Sequence, residues 1–186
     1  MKSKLSHFER YDMGMAVIHD GVTDVHNSDN AYAHVNEATR FDQLMRSYLS
    51  SEQGQHFLTY IESRNRKLVE LTGYGTADLG PSTVAATIHN GLEGIIVSNY
   101  QGKTFQERVE QMAIQYKIPA DAMQEYVLTH ELAHAAGYKS EAETEGFIKD
   151  FFTSRAFQTQ GETREKYTSL AKIAAKREYE ADQLEE

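Results

Sequence analysis

The residues whose types and spacing have the clearest chemical meaning form the run His130-Glu131-Leu132-Ala133-His134. On an α-helix, residues four apart share one face, so the two histidines can point at a single metal ion. Imidazole nitrogens suit Zn²⁺, which takes a tetrahedral set of ligands at about 2.0–2.1 Å. Glu131 lies about 100° further around the helix, where it can reach a water beside the metal instead of the metal. The pattern predicts two metal ligands and a general base.

The residues that flank this run indicate a packed helix. Leu128, Leu132, Ala135 and Ala136 recur at helical spacing and form an apolar stripe. Pro119 suits the start of such a helix, and Gly137 suits the position just after its end. The two histidines are therefore held near a core, which favours a metal site over a coincidental match on a solvated helix.

The composition limits the classes of function. A chain of 186 residues, 40% hydrophobic and 25% charged, is typical of one globular domain, with or without a helical extension. Its formal charge of −9 argues against nucleic acid and anionic membranes as partners. No apolar run suits a membrane span, and residues 1–11 lack the apolar stretch of a secretory signal, so we expect a cytoplasmic protein. The absence of cysteine excludes disulfides, thiol catalysis and cysteine-ligated zinc.

Most of the chain has helical periodicity. Capping boxes at Thr104/Glu107 and Ser140/Glu143 indicate where two helices begin. The glycines and proline between residues 73 and 81 indicate a loop. Helices are predicted at about 30–48, 55–71, 105–116, 120–136, 141–152 and from about 162 towards the C-terminus.

Two hairpins are predicted from turn residues between short apolar runs. Asn90-Gly91 separates Thr83–His89 from Leu92–Ser98, and Asp20-Gly21 separates Met15–His19 from Val22–His26. The fold class is therefore predicted to be α+β, mainly helical, with a small antiparallel sheet or hairpin beside the motif helix.

A catalytic zinc usually takes a third protein ligand, and the residues after the motif limit its type. In metzincins a histidine follows at a fixed distance, but Ser140 occupies that position here. All six methionines precede His130, so no downstream methionine turn exists. Three glutamates, Glu141, Glu143 and Glu145, instead follow within about one helical turn.

The run HELAHAAGYKSEAETEGF resembles the minimal gluzincins, small soluble metallopeptidases with a pair of helices around zinc. The resemblance covers about Tyr126 to Phe152. It implies that His130, His134 and Glu141 bind Zn²⁺ and that Glu131 is the catalytic base. It further implies that Glu145 orients a ligand histidine, with Glu145 also an alternative ligand.

Three other glutamates compete with Glu141 for the third position. In a plain antiparallel helix pair, Glu145 would lie nearer the level of the histidines, whereas Glu143 can serve as a cap. Glu178 begins the run Glu178-Tyr179-Glu180-Ala181-Asp182, which resembles the E-x-x-A-D element of another gluzincin branch. The remaining histidines show no ligand-like spacing, and Tyr100 and Tyr138 are candidates for donating a hydrogen bond to an oxyanion.

The expected function is a zinc-dependent metallopeptidase that hydrolyses a peptide or protein substrate, with the substrate paired to the edge of the Leu92–Tyr100 strand. The predicted domains are a mostly helical region at 1–81 and a zincin-like core with a C-terminal helix at 82–186. In a latent form, either the helical region or the acidic C-terminal helix would cover the site. The alternative is a non-catalytic protein that keeps zinc for stability or regulation.

Overall fold

The computed structural model describes residues 15–19, 22–26, 31–69, 71, 73–88 and 94–185, with side chains at 37–69, 71, 73–88 and 94–184. These residues form a mainly helical α+β fold, as predicted. Within them, no helix combines the length and the apolar character that a membrane crossing needs. In chain order the strands and helices are β1 (Met15–His19), β2 (Val22–His26), α1 (Ala31–Ser50), α2 (Glu52–Ser63), β3 (Gly73–Ala77), β4 (Ala85–Ile88), β5 (Gly94–Ser98), α3 (Phe105–Tyr116), α4 (Ala120–Ala135), α5 (Glu141–Gln158) and α6 (Gly161–Glu185).

The chain divides into two compact units, and each is described by itself. The first comprises Met1–Ser50 and Val69–Val109, and the second comprises Ser51–Leu68 and Glu110–Glu186. The predicted boundary between residues 81 and 82 is not the boundary between these units. It falls inside the first unit because β3, before it, pairs with β5, after it.

The first unit contains one mixed sheet in the strand order β2-β1-β3-β5-β4. Both predicted hairpins are present, as β1 with β2 and β4 with β5, while their turns at Asp20-Gly21 and Asn90-Gly91 lie outside the described residues. The sheet is mixed and not antiparallel throughout, because β3 and β5 run parallel. On the helical side, Phe41 of α1 makes edge contacts with Tyr74 and Phe105, at centroid distances of 5.6 and 5.0 Å.

Strand β3 corrects the loop predicted between residues 73 and 81. Gly73 and Gly75 suggested a break in the chain, yet the strand pairs with β1 on one side and β5 on the other. All its residues are buried. Glycine has a low strand propensity, but hydrogen bonds to the strands on both sides stabilise the extended backbone here. The tertiary pairing therefore overrides the loop that the glycines predicted.

Strand β5 corrects the expected substrate edge. It lies between β3 and β4, with Ile95, Ile96 and Val97 fully buried. Its backbone groups are therefore engaged on both sides, so β5, the described part of the predicted substrate strand, offers no free edge to an added strand.

The second unit contains α2, α4, α5, α6 and the second half of α3. Helix α2 is shorter than predicted, since it ends at Ser63 and Asn65 adopts a positive φ of 56°. The α5–α6 pair is linked to α4 and α2 through a continuous aromatic core. Its ring contacts join Phe57 with Phe151, Phe151 with Phe152, and Phe152 with Tyr126 and Tyr167. This core holds α4 and α5 side by side, which sets the geometry of the site.

Candidate metal centre

Helix α4 carries both histidines of the motif on one face, where His130 is buried and His134 is partly buried. It begins after Pro119 and ends at Ala135, one residue before the predicted end, and Gly137 follows the capping residue Ala136 with a φ of +95°. Most of its residues are buried, so the helix is fixed on several sides. His130 and His134, one turn apart, therefore cannot easily move away from each other.

The nitrogens of the two histidines and the carboxylate of Glu141 meet at one point. His130 Nε2 lies 3.1 Å from His134 Nε2. The oxygens of Glu141 lie 3.4 Å from His130 Nε2 and 3.3 Å from His134 Nε2. Among the described residues this is the group of histidine and acidic side chains that could hold a metal ion.

This geometry fits a tetrahedral zinc. Bonds of about 2.0–2.1 Å at tetrahedral angles separate neighbouring ligand atoms by about 3.3–3.4 Å. The two nitrogens are 3.1 Å apart, and each faces a different oxygen of the Glu141 carboxylate, at 3.4 Å for His130 and 3.3 Å for His134. Two imidazole nitrogens and one carboxylate also match a catalytic donor set that leaves one position open.

The turn after α4 orients His134. Its Nδ1 lies 2.8 Å from the carbonyl oxygen of Tyr138, so Nδ1–H donates there and Nε2 keeps a lone pair for a metal. The hydroxyl of Thr144, at 3.2 Å from the same Nδ1, donates to the carbonyl of Ser140 at 2.8 Å. Gly137 allows this turn, because its positive φ is a backbone conformation that would be strained in a residue with a side chain.

A buried network orients His130 from its other side. Its Nδ1 lies 3.2 Å from Oε1 of Glu145, a residue with no solvent exposure. The same oxygen accepts a hydrogen bond of 2.6 Å from Arg177 Nε, and Oε2 accepts one from the Tyr126 hydroxyl. Nδ1 of His130 forms no hydrogen bond in this geometry, so Glu145 acts on the ring from behind through its charge, while Glu141 faces the Nε2 atoms.

The charges of the group alter the pKa of its members. Burial lowers the pKa of His130, but the neighbouring carboxylates of Glu141 and Glu145 outweigh it and raise that pKa to about 10. The two histidines hold the pKa of Glu141 well below its usual range. Burial opposes a raised pKa in Arg177, yet Tyr126 and Glu145 raise it further. Without a metal, a proton on His130 supplies positive charge that a divalent cation would replace.

Glu131, the predicted base, is buried within α4 with 3% of its surface exposed. Its negative charge contributes to raising the pKa of His130. Its assignment as the general base rests on its place in the motif and stays a prediction.

The other candidate glutamates have different contacts. Glu143 closes the predicted capping box with Ser140 at the start of α5. Glu178 pairs with Lys149 at 2.5 Å and does not belong to the metal-binding group.

Three other candidates whose side chains are described, Tyr138, Tyr100 and His56, make other contacts. The Tyr138 ring stacks on Phe147 at 4.2 Å, and Tyr100 belongs to the other unit, where it packs on Arg108. His56 lies 3.4 Å from Glu52 in α2. The side chains of His7, His19, His26, His34 and His89 lie outside the described residues.

Three residues of the site escaped sequence reasoning. Tyr126 lies one turn before His130, and Thr144 one turn after Ser140, so helical spacing gave a weak signal for both. Arg177 reaches Glu145 across 32 residues of sequence, and no local pattern indicates such a contact.

Comparison with known proteins identifies no relative of this chain. The chain matches no family model, no curated protein and no solved structure.

Proposed function

We propose that this protein is a zinc-dependent metallopeptidase with a zincin-like fold, of the gluzincin type that the motif resembles. One observation carries the proposal: Nε2 of His130, Nε2 of His134 and the Glu141 carboxylate converge at separations of 3.1–3.4 Å, next to Glu131 in the motif. A structural zinc site is usually closed by four protein ligands, whereas three leave a position for water and substrate.

The residues divide the work between binding and proton transfer. His130, His134 and Glu141 would hold Zn²⁺, which when bound supplies a Lewis acid that polarises a carbonyl and lowers the pKa of water. Glu131 accepts a proton as water attacks the peptide carbonyl and delivers it to the departing amine. Glu145, Tyr126 and Arg177 keep the His130 ring in its binding orientation.

The decisive experiment measures zinc content and hydrolysis of an unfolded protein substrate in the same preparation. The wild type should bind one zinc and cleave the substrate. Glu131→Gln should keep the zinc and lose hydrolysis by several orders of magnitude, because a carboxamide cannot accept the proton. Glu165→Gln, an equivalent change on an exposed residue of α6, is the matched control and should keep both.

The outcomes separate the proposal from its alternative. Stoichiometric zinc without hydrolysis in the wild type would support a structural or regulatory zinc protein, or a latent form. Loss of zinc in Glu131→Gln would assign Glu131 a structural role and contradict its assignment as the base.

A further inference from the structure

Helices α5 and α6 enclose a groove of about 370 Å³ that is separate from the metal centre. Its lining includes the apolar residues Ala156, Phe157 and Ala175 and the cationic residues Arg164 and Lys172. Phe157 is 80% exposed, an unusual state for a large aromatic side chain. An apolar groove with a basic rim suits a partner segment that is acidic and partly apolar.

Helix α6 has a basic part, which lines the groove, and an acidic part, which follows it. From residue 164 to residue 177 its sequence holds five basic residues and one acidic residue. From residue 178 to its end at residue 185 it holds four acidic residues and no basic one. Acidic side chains near the C-terminus of a helix are disfavoured by the helix dipole, and no basic residue lies in the last turn. Basic side chains from another molecule would offset this arrangement.

The charges on the groove face of α6 are complementary to those of a second α6 helix that runs in the opposite direction. At about 100° per residue, Arg164, Ala171, Ala175 and Asp182 lie within about 20° of one line along the helix. Arg164 and Asp182 are equally far from the level of Ile173, as are Ala171 and Ala175. A two-fold axis at that level would set each arginine opposite an aspartate of the second copy, in an isologous contact.

We propose that the chain forms a two-fold symmetric dimer in which the α6 helices of two copies pack antiparallel, each acidic end over the basic groove of the other. Phe157 lines the groove together with Arg164. In this arrangement the partner's 179–182 segment reaches that end of the groove, so Phe157 packs against Tyr179 of the second copy. Tyr179 is 66% exposed in the single chain and loses that exposure on association. The dimer does not depend on the metal site.

The test is a charge exchange followed by analytical ultracentrifugation of the full chain at about 1–100 μM, a range in which μM affinities are resolved. The wild type should sediment as a dimer that weakens at high salt. Arg164→Asp and Asp182→Arg should each weaken the dimer about tenfold or more, because like charges then face each other. The double variant Arg164→Asp/Asp182→Arg should restore it.

Glu180→Arg is the matched control, since it makes the same change on the same helix but about 160° away from the groove line. It should leave the dimer intact, and circular dichroism should show unchanged helicity in all variants. A monomeric wild type would overturn the proposal. This holds even if the groove of the monomer binds an acidic peptide or an anionic amphiphile. Failure of the double variant to restore the dimer, or an equal loss in Glu180→Arg, would overturn it as well.

Discussion

The buried carboxylate of Glu145 offers the sharpest test of how the site is held in place. Glu145→Gln keeps the shape of the side chain but removes its charge. The carboxylate is fully buried and contacts His130, Arg177 and Tyr126. The substitution removes the closer of two carboxylates beside the Arg177 guanidinium, which keeps only a 3.9 Å contact with Glu141, and it removes the charge behind Nδ1 of His130.

The expected magnitudes follow from the burial of these groups. Removing one partner of a buried ion pair costs about 3–5 kcal/mol of unfolding free energy. Because the Arg177 side chain is 29% exposed and water can reach it, we expect the lower end, about 3 kcal/mol. Loss of a group that orients a ligand histidine weakens metal affinity by about 10–100-fold.

Glu178→Gln is the matched control, because it removes the same charge from a pair that lies away from the metal-binding group. Glu178 and Lys149 are 28% and 31% exposed, so their pair is worth about 0–1 kcal/mol. Urea unfolding of the metal-free proteins and zinc titration against a competing chelator measure both effects. Equal stability and equal zinc affinity in the two variants would refute the role assigned to Glu145.

Three further predictions concern the same centre. Below the raised pKa of His130, about 10, zinc must displace a proton, so its affinity should rise about tenfold per pH unit between about pH 6 and 8, and a flat profile in a chelator competition would contradict this. Gly137→Ala should lower the unfolding free energy by about 1 kcal/mol or more, measured by urea unfolding, and should also weaken zinc binding, because the positive φ that sets the turn beside His134 becomes strained. Glu141→Ala should lose zinc during dialysis against a weak chelator whereas Glu178→Ala should retain it, and the reverse order in metal analysis would move the third ligand to α6.

Local patterns predicted the parts of the fold that local forces determine. The capping boxes at Thr104 and Ser140 marked the starts of α3 and α5, and Asn90-Gly91 marked the hairpin of β4 and β5. Strand β3 was missed because its glycines have low strand propensity and its formation depends on pairing with β1 and β5. Helix α2 was predicted too long because its apolar periodicity continues past the positive-φ residue Asn65.

In the metal-binding group, too, some contacts follow from local spacing and others depend on tertiary packing. The i, i+4 spacing places His130 and His134 together on any helix, so the sequence alone predicted that pair. The choice between Glu141 and Glu145 depends on how the turn through Gly137 and Tyr138 folds back, which periodicity does not determine. The contact of Arg177 with Glu145 depends on the packing of α6 against α5 and has no local signature.

The central claim is that one zinc ion is bound by His130, His134 and Glu141, and anomalous diffraction at the zinc edge tests it most directly. Crystals of the zinc-loaded protein should show one strong anomalous peak at about 2.0–2.2 Å from both Nε2 atoms and from a carboxylate oxygen of Glu141. The peak should be absent in Glu141→Ala crystals grown with the same zinc. A peak bound by Glu145 or Glu178 in place of Glu141, or no peak at the histidines, would contradict the account.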